Sequence, residues 1–243
     1  VWLFATPDGG SFAAKRGPEA EREGAVLRRL GEFRPFVPGV AAVTKDGWLV
    51  TTRLAGRDLA ARFAEAGPEE RERLAGAFGR ALAAIHAWMP DGFARPEPGA
   101  WTAALLARCR ENVRAGRVAA GTRAWRCSRF ADREPADLLR DVEGAADSFI
   151  ATEELVFGHG DWCLPNALSE DSLSVSGAID WADGGWQDRR WDLATGLWAL
   201  RYNASGDPHL PDYLAAFLVG YGARPDLLQQ RGMVLAEMTY LLA

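Results

Sequence analysis

The sequence predicts an α+β fold of two unequal lobes, a small β-rich one followed by a larger helical one. Three observations carry this. Four short apolar segments separated by turn-forming residues fill roughly the first fifty positions, the pattern of segregated rather than alternating elements. Apolar residues at three- and four-residue spacing dominate the remainder. The change falls within Thr51-Thr52-Arg53-Leu54-Ala55-Gly56, which places the expected boundary between residues 1–53 and 54–243.

Val1–Thr6 and Ser11–Arg16 read as a hairpin, because Pro7-Asp8-Gly9-Gly10 supplies residues suited to tight turns. Val1 already lies inside strand-like sequence, so a preceding segment of the natural protein is expected to be missing. A helix is expected over Pro18–Leu30, with the proline in its first turn and Val26, Leu27 and Leu30 on one side. Phe36–Val43 and Trp48–Thr52 read as two more strands around the turn Lys45-Asp46-Gly47.

Pro68–Met89 carries Leu74, Phe78, Leu82, Ile85 and Met89 on one stripe and a run of charges in its first turns, a half-buried helix. His86 lies beside the stripe, where a core role is the ordinary reading. Pro90–Pro98 is a connector. Trp101–Val118 and Pro135–Ile150 read as helices, and the arginine-bearing stretch Ala119–Arg133 between them has no clear period. Trp191–Tyr202, Pro211–Tyr221 and Asp226–Leu242 read as three closing helices.

The chemistry concentrates between Phe157 and Ala194. Val156-Phe157 leads into His159-Gly160-Asp161-Trp162-Cys163-Leu164-Pro165-Asn166, and an alternating segment, Leu173–Ile179, delivers Asp180 at its end. A lone Asp or Asn in a loop is usually a turn or cap residue. Three such residues in this order, each beside an expected strand end, fit a loop presenting one carboxylate as a base and an amide plus a second carboxylate as oxygen ligands for magnesium.

These residues, with Ile179-Asp180-Trp181 and Asp188-Arg189-Arg190-Trp191-Asp192-Leu193-Ala194, resemble the aminoglycoside phosphotransferase family, most closely its 3'-hydroxyl branch. The resemblance implies a bilobal protein-kinase-like fold with the nucleotide in the cleft, a phosphotransferase activity, ATP or GTP as donor, and Mg2+. Asp161 then serves as the catalytic base, and Asn166 and Asp180 hold the metal. Lys15 holds the donor phosphates and is itself held by Glu23 rather than Glu21. Thr51 and Arg53 belong to the hinge that meets the nucleotide base, and a glycine-bearing phosphate loop is expected before Val1. His159 braces the loop by bonding backbone on both sides, while Asp192 is a second brace or a helix cap.

Family members that bind polycationic aminoglycosides carry acids in two places that are not matched here. Residues 119–127 bear arginines, and no carboxylate side chain follows Glu237. Asp183 stands where the family commonly has an arginine. Asp183, Asp188, Asp132, Glu134 and Glu237 are the acids available for a substrate pocket, and Trp162 is the tryptophan best placed to stack on a substrate. The partner is a small hydroxyl-bearing molecule, an aminoglycoside or another metabolite or antibiotic. A non-catalytic nucleotide-binding module is the third class.

Composition narrows the setting. A formal net charge of −5 disfavours nonspecific nucleic-acid binding. No apolar run is long enough for a bilayer, and no signal-peptide pattern opens the chain. Cys109, Cys127 and Cys163 form neither a metal spacing nor an even disulfide set, so a reduced, cytoplasmic location is expected. Nothing in the sequence specifies an oligomeric state.

Overall fold

The structure is a computed structural model that describes residues 1–33, 36–118 and 120–243. Ala119, the first residue of the expected aperiodic stretch, therefore lies outside the described residues.

Strands β1 (Trp2–Ala5) and β2 (Ser11–Arg16) pair antiparallel about the expected turn, where Gly9 takes a φ of 89°. Helix α1 (Ala20–Arg29) follows, then β3 (Val40–Val43) and β4 (Trp48–Thr52), which complete a four-stranded antiparallel sheet in the order β1-β2-β4-β3. Leu27 and Leu30 are fully buried with Leu49 of β4, and this apolar contact fixes α1 on the sheet. The expected strand from Phe36 starts only at Val40. Pro38 has no N–H for a ladder, and Phe36 gives its carbonyl to the Ala178 amide at 2.8 Å, far along the chain.

The helical part opens with β5 (Arg57–Asp58) and α2 (Leu59–Glu65), whose start is capped by the Asp58 carboxylate accepting from the Ala61 amide. Helix α3 (Pro68–His86) is followed by α4 (Ala100–Arg114) and a short α5 (Arg123–Arg126) within the stretch expected to be aperiodic. The expected helix 135–150 is two, α6 (Pro135–Gly144) and α7 (Ala146–Ala151), broken after Gly144, a weak helix former.

The next four strands frame the motif. They are β6 (Leu155–Gly158), β7 (Ala167–Ser169), β8 (Gly177–Ala178) and β9 (Gly185–Asp188). β6 pairs with β9, and β7 lies between β5 and β8. Of the segment Leu173–Ile179 only Gly177-Ala178 is strand, because the Asp171 carboxylate captures the amides of Leu173 and Ser174 and curls the chain there.

Helices α8 (Arg189–Asn203), α9 (Leu210–Tyr221) and α10 (Arg231–Leu242) close the chain, with a separate 3₁₀ turn at Pro225–Gln229 where one continuous helix was expected. α3 and α9 cross in backbone contact: a Cβ on Gly79 would stand 2.0 Å from the Phe217 carbonyl oxygen, and one on Gly220 would stand 2.2 Å from that of Gly76. Only glycine permits this approach. No helix among the described residues is long and apolar enough to cross a membrane.

Candidate active site

The two lobes meet through Lys15. Its Nζ donates to Asp180 Oδ1 at 2.8 Å and forms an ion pair with Glu23, which the inward face of α1 presents and which is almost fully buried. Burial works against the Lys15 ammonium, but hydrogen bonds to Asp180 and Glu23 outweigh it and hold Lys15 above the ordinary lysine value. Burial pushes the Glu23 carboxyl up despite its lysine partner. Glu23 is the acid that meets Lys15, whereas Glu21 is exposed.

Lys15, Glu23, Leu49, Thr51 and Asp180 line a cavity of about 130 Å³ between sheet and loop. Thr51 stands between Ala13 and Val40 in the ladder, whereas Arg53 is exposed beyond the end of β4, its amide bonded to the Ser11 carbonyl. Asp180 is the only non-glycine among the described residues with a positive φ, 66°, a conformation that Asp tolerates better than most.

The loop after β6 presents Asp161. Its Oδ2 accepts from Asn166 Nδ2 at 3.0 Å, and the same nitrogen reaches the Asp161 carbonyl at 2.9 Å. Burial raises the Asp161 carboxyl above its ordinary value, although His159 and Asn166 oppose the shift. His159 is wholly buried. Its Nε2 donates to the Ile179 carbonyl at 2.9 Å, and its Nδ1 accepts the Asp161 amide at 3.3 Å, so the imidazole ties the loop to the residue before Asp180. Burial pushes its pKa down and keeps the ring neutral, as two-sided backbone bonding requires.

Asp192 is not the helix cap. That position belongs to Asp188, whose carboxylate accepts from the Arg190 amide. Asp192 accepts the amides of His159 and Gly160 and a bond from His86 Nε2. Trp191 Nε1 adds a bond to the Gly160 carbonyl at 2.7 Å. Gly160 has a φ of 89°, and a Cβ there would stand 2.3 Å from the Asp183 carbonyl oxygen. Sequence reasoning missed His86 and Trp191 as loop supports. The only signal for Trp191 was that a buried indole N–H needs an acceptor.

A second cavity, about 450 Å³, opens beside Asp161 and is walled by Asp183, Arg108, Trp191, Trp198 and Tyr240. Asp183 lines it but also pairs with Arg22 of α1. Five candidate substrate residues lie elsewhere. Trp162 is fully buried and stacks on Phe78 at 4.8 Å, so its ring faces the core and no substrate. Glu237 is buried between Arg129 and Arg201, and Asp188 beneath Arg190. Neither is a pocket acid, and Asp132 and Glu134 are exposed outside the cavity. Burial pushes the Cys163 thiol up to about 12, and its Sγ lies 3.8 Å from Asp161 Oδ2.

The donor set fits magnesium. With Asn166 Nδ2 committed to Asp161, its Oδ1 receives no hydrogen bond among the described residues, and only one Asp180 oxygen meets Lys15. Both free atoms are hard oxygen donors. Among the described residues there is no cluster of three or more His, Cys, Asp or Glu able to hold a metal alone, so waters and phosphate oxygens would complete the shell.

The family model for the phosphotransferase enzyme family matches residues 1–230. Aminoglycoside 3'-phosphotransferase of Niallia circulans is 41% identical over 97 residues, 37% of this chain and 35% of that protein. A probable aminoglycoside 3'-phosphotransferase of Lactococcus lactis subsp. lactis is 33% identical over 84 residues, 32% of this chain and 31% of that one. The chain thus spans about a third of the length of these curated relatives in its matches.

Among solved structures, an aminoglycoside phosphotransferase from Streptomyces rimosus in complex with ADP and streptomycin is similar with a TM-score of 0.70 and 21% identity, covering 98% of this chain and 90% of that one. An aminoglycoside-3'-phosphotransferase of type VIII has a TM-score of 0.70 and 24% identity, covering 99% and 88%. A choline/ethanolamine kinase family protein from Mesorhizobium loti reaches a TM-score of 0.62 at 18% identity, covering 99% and 73%. These likenesses show the bilobal kinase-like fold.

Proposed function

Because the chain belongs to the phosphotransferase enzyme family, we propose that it is a small-molecule kinase that moves the γ-phosphoryl group of ATP or GTP onto an acceptor hydroxyl. The observation that carries this is the contact of Lys15 with Asp180 at 2.8 Å, which joins the small-lobe lysine to the motif carboxylate beside the loop of Asp161. Residues 1–53 serve as the nucleotide-binding lobe, and residues 54–243 carry the loop and the acceptor site.

Phosphoryl transfer asks the protein mainly for positioning and charge neutralisation. Lys15, steadied by Glu23, holds the donor phosphates. Asp161 orients the acceptor hydroxyl and receives its proton as the new oxygen–phosphorus bond forms and the bond to the nucleoside diphosphate oxygen breaks. Asn166 holds the Asp161 carboxylate through Nδ2 and turns Oδ1 outward, where it and Asp180 would hold magnesium. When bound, the metal neutralises charge on the transferring phosphates. His159 and Asp192 keep the loop in register.

The names of the curated relatives make an aminoglycoside 3'-hydroxyl the leading acceptor. Another hydroxylated metabolite or antibiotic is the second reading, favoured by Arg108 in the acceptor cavity and by the pairing of Asp183 with Arg22. Nucleotide consumption measured against kanamycin-like aminoglycosides and simple hydroxyl metabolites tests both. Turnover that disappears in Asp161→Asn supports the kinase reading, whereas tight nucleotide binding without turnover of any acceptor replaces it with a binding module.

A further inference from the structure

A buried hydrogen-bond chain runs from a surface arginine to the loop that carries Asp161, and the capacity of each group fixes its direction. Arg189 approaches the Tyr221 oxygen through Nε at 3.1 Å and Nη2 at 2.7 Å. A guanidinium only donates, so these bonds fill both acceptor positions of the phenol. Among the described residues the remaining polar partner of that oxygen is His86 Nδ1 at 2.8 Å. Tyr221 must therefore donate, Nδ1 must accept, and the ring proton sits on Nε2.

From Nε2 the proton points at Asp192 Oδ2, 3.2 Å away, and Asp192 in turn receives the amides of His159 and Gly160 at 2.7 and 2.9 Å. The opposite tautomer fails at both ends. It would turn a nitrogen lone pair on the Asp192 carboxylate and leave the tyrosine hydroxyl hydrogen with no acceptor among the described residues. Tyr221, His86, His159 and Asp192 are all buried, where such mismatches are costly.

The fold brings these groups together for a local reason. His86 and Tyr221 are the last residues of α3 and α9; the glycine contacts hold the Tyr221 backbone beside Gly79, and from there the tyrosine oxygen reaches His86 at 2.8 Å.

We infer that Tyr221 is a positioning residue: by donating to His86 it selects the tautomer that holds Asp192, and through Asp192 the loop backbone, where Asp161 is presented. This rests on the reading of Asp161 as the base. It makes His86 more than the core residue its place on α3 suggests.

The test uses the full chain and two readouts. The chain has three histidines, so a His86→Asn spectrum assigns the His86 ring nitrogens by difference. In the wild-type protein ¹⁵N NMR should show a neutral His86 with its proton on Nε2. Tyr221→Phe keeps the ring beside His86 and loses only the hydroxyl. It should shift the His86 signals away from that single tautomer and lower kcat on the order of tenfold while nucleotide and acceptor KM stay within about twofold.

A wild-type His86 protonated on Nδ1 or on both nitrogens overturns the inference, as does an unchanged kcat in Tyr221→Phe. The wild-type readout does not depend on the folding of Tyr221→Phe. Retained turnover in Asp161→Asn would instead remove the base assignment and leave the tautomer result standing by itself.

Discussion

Asp192 accepts the backbone N–H of His159 at 2.7 Å, so a carboxylate with no solvent exposure holds the start of the loop that carries Asp161. Two further donors, Gly160 N–H and His86 Nε2, complete its shell. Asp192→Ala leaves all three donors buried without a partner. Unfolding free energy from urea titration should fall by about 3 kcal/mol or more. A loss below about 1 kcal/mol would show that the brace is dispensable.

The same residue gives a pH dependence. Burial alone would raise the Asp192 carboxyl, but the bond from His86 and the His159 amide hold it below its ordinary value of 3.8. A depressed folded-state value stabilises the fold above the unfolded value and loses that contribution as pH falls through the folded one. The stability gap between wild type and Asp192→Asn should therefore be constant above about pH 5 and shrink progressively below it, as chemical denaturation across the acid range will show.

Asp161→Asn keeps an acceptor for Asn166 but removes the proposed base. Its kcat should fall on the order of 10²- to 10⁴-fold with nucleotide affinity little changed. Asp180→Asn should weaken magnesium-dependent nucleotide binding as well, measured by calorimetry with and without the metal. Equal effects of the two substitutions on binding would overturn the division of roles.

Trp162 stacks on Phe78 inside the core, so Trp162→Ala should cost about 3–5 kcal/mol of stability. At a temperature where the variant remains folded, the acceptor KM should match the wild type. A selective rise in acceptor KM would return the ring to the binding site.

Gly160→Ala forces a side chain onto a backbone with φ 89° and against the Asp183 carbonyl. The strain is about 1–3 kcal/mol, and the loop must shift to relieve it. Turnover should fall sharply, whereas alanine at Gly185, where a Cβ meets nothing within 4 Å, serves as the control.

Much of the site was legible because its parts are local or signalled by type. Asp161 and Asn166 lie five positions apart on one loop, and Asp180 follows two residues after β8. Which of Glu21 and Glu23 meets Lys15 depends on the face α1 turns to the sheet, and that face carries Glu23. The tryptophans were not legible in this way. Trp162 beside Asp161 is placed by sequence order next to the motif carboxylate, yet it points into the core, while Trp191 and Trp198 on α8 wall the cavity. Along a loop, sequence order does not say which side of the backbone a ring leaves.

The acids show the same limit. Glu237 and Asp188 carry the charge a cationic acceptor would want, but Arg129, Arg201 and Arg190 come from elsewhere to neutralise them. By itself the sequence determined the strand-to-helix order of the chain and which loop brings Asp161, Asn166 and Asp180 close together, because periodicity and motif spacing are short-range properties. Tertiary structure alone decided which charges are spent in ion pairs, which tryptophans face the cavity, and that Tyr221 and His86 meet at the ends of two helices. Those outcomes depend on contacts between residues dozens of positions apart, and no local pattern encodes them.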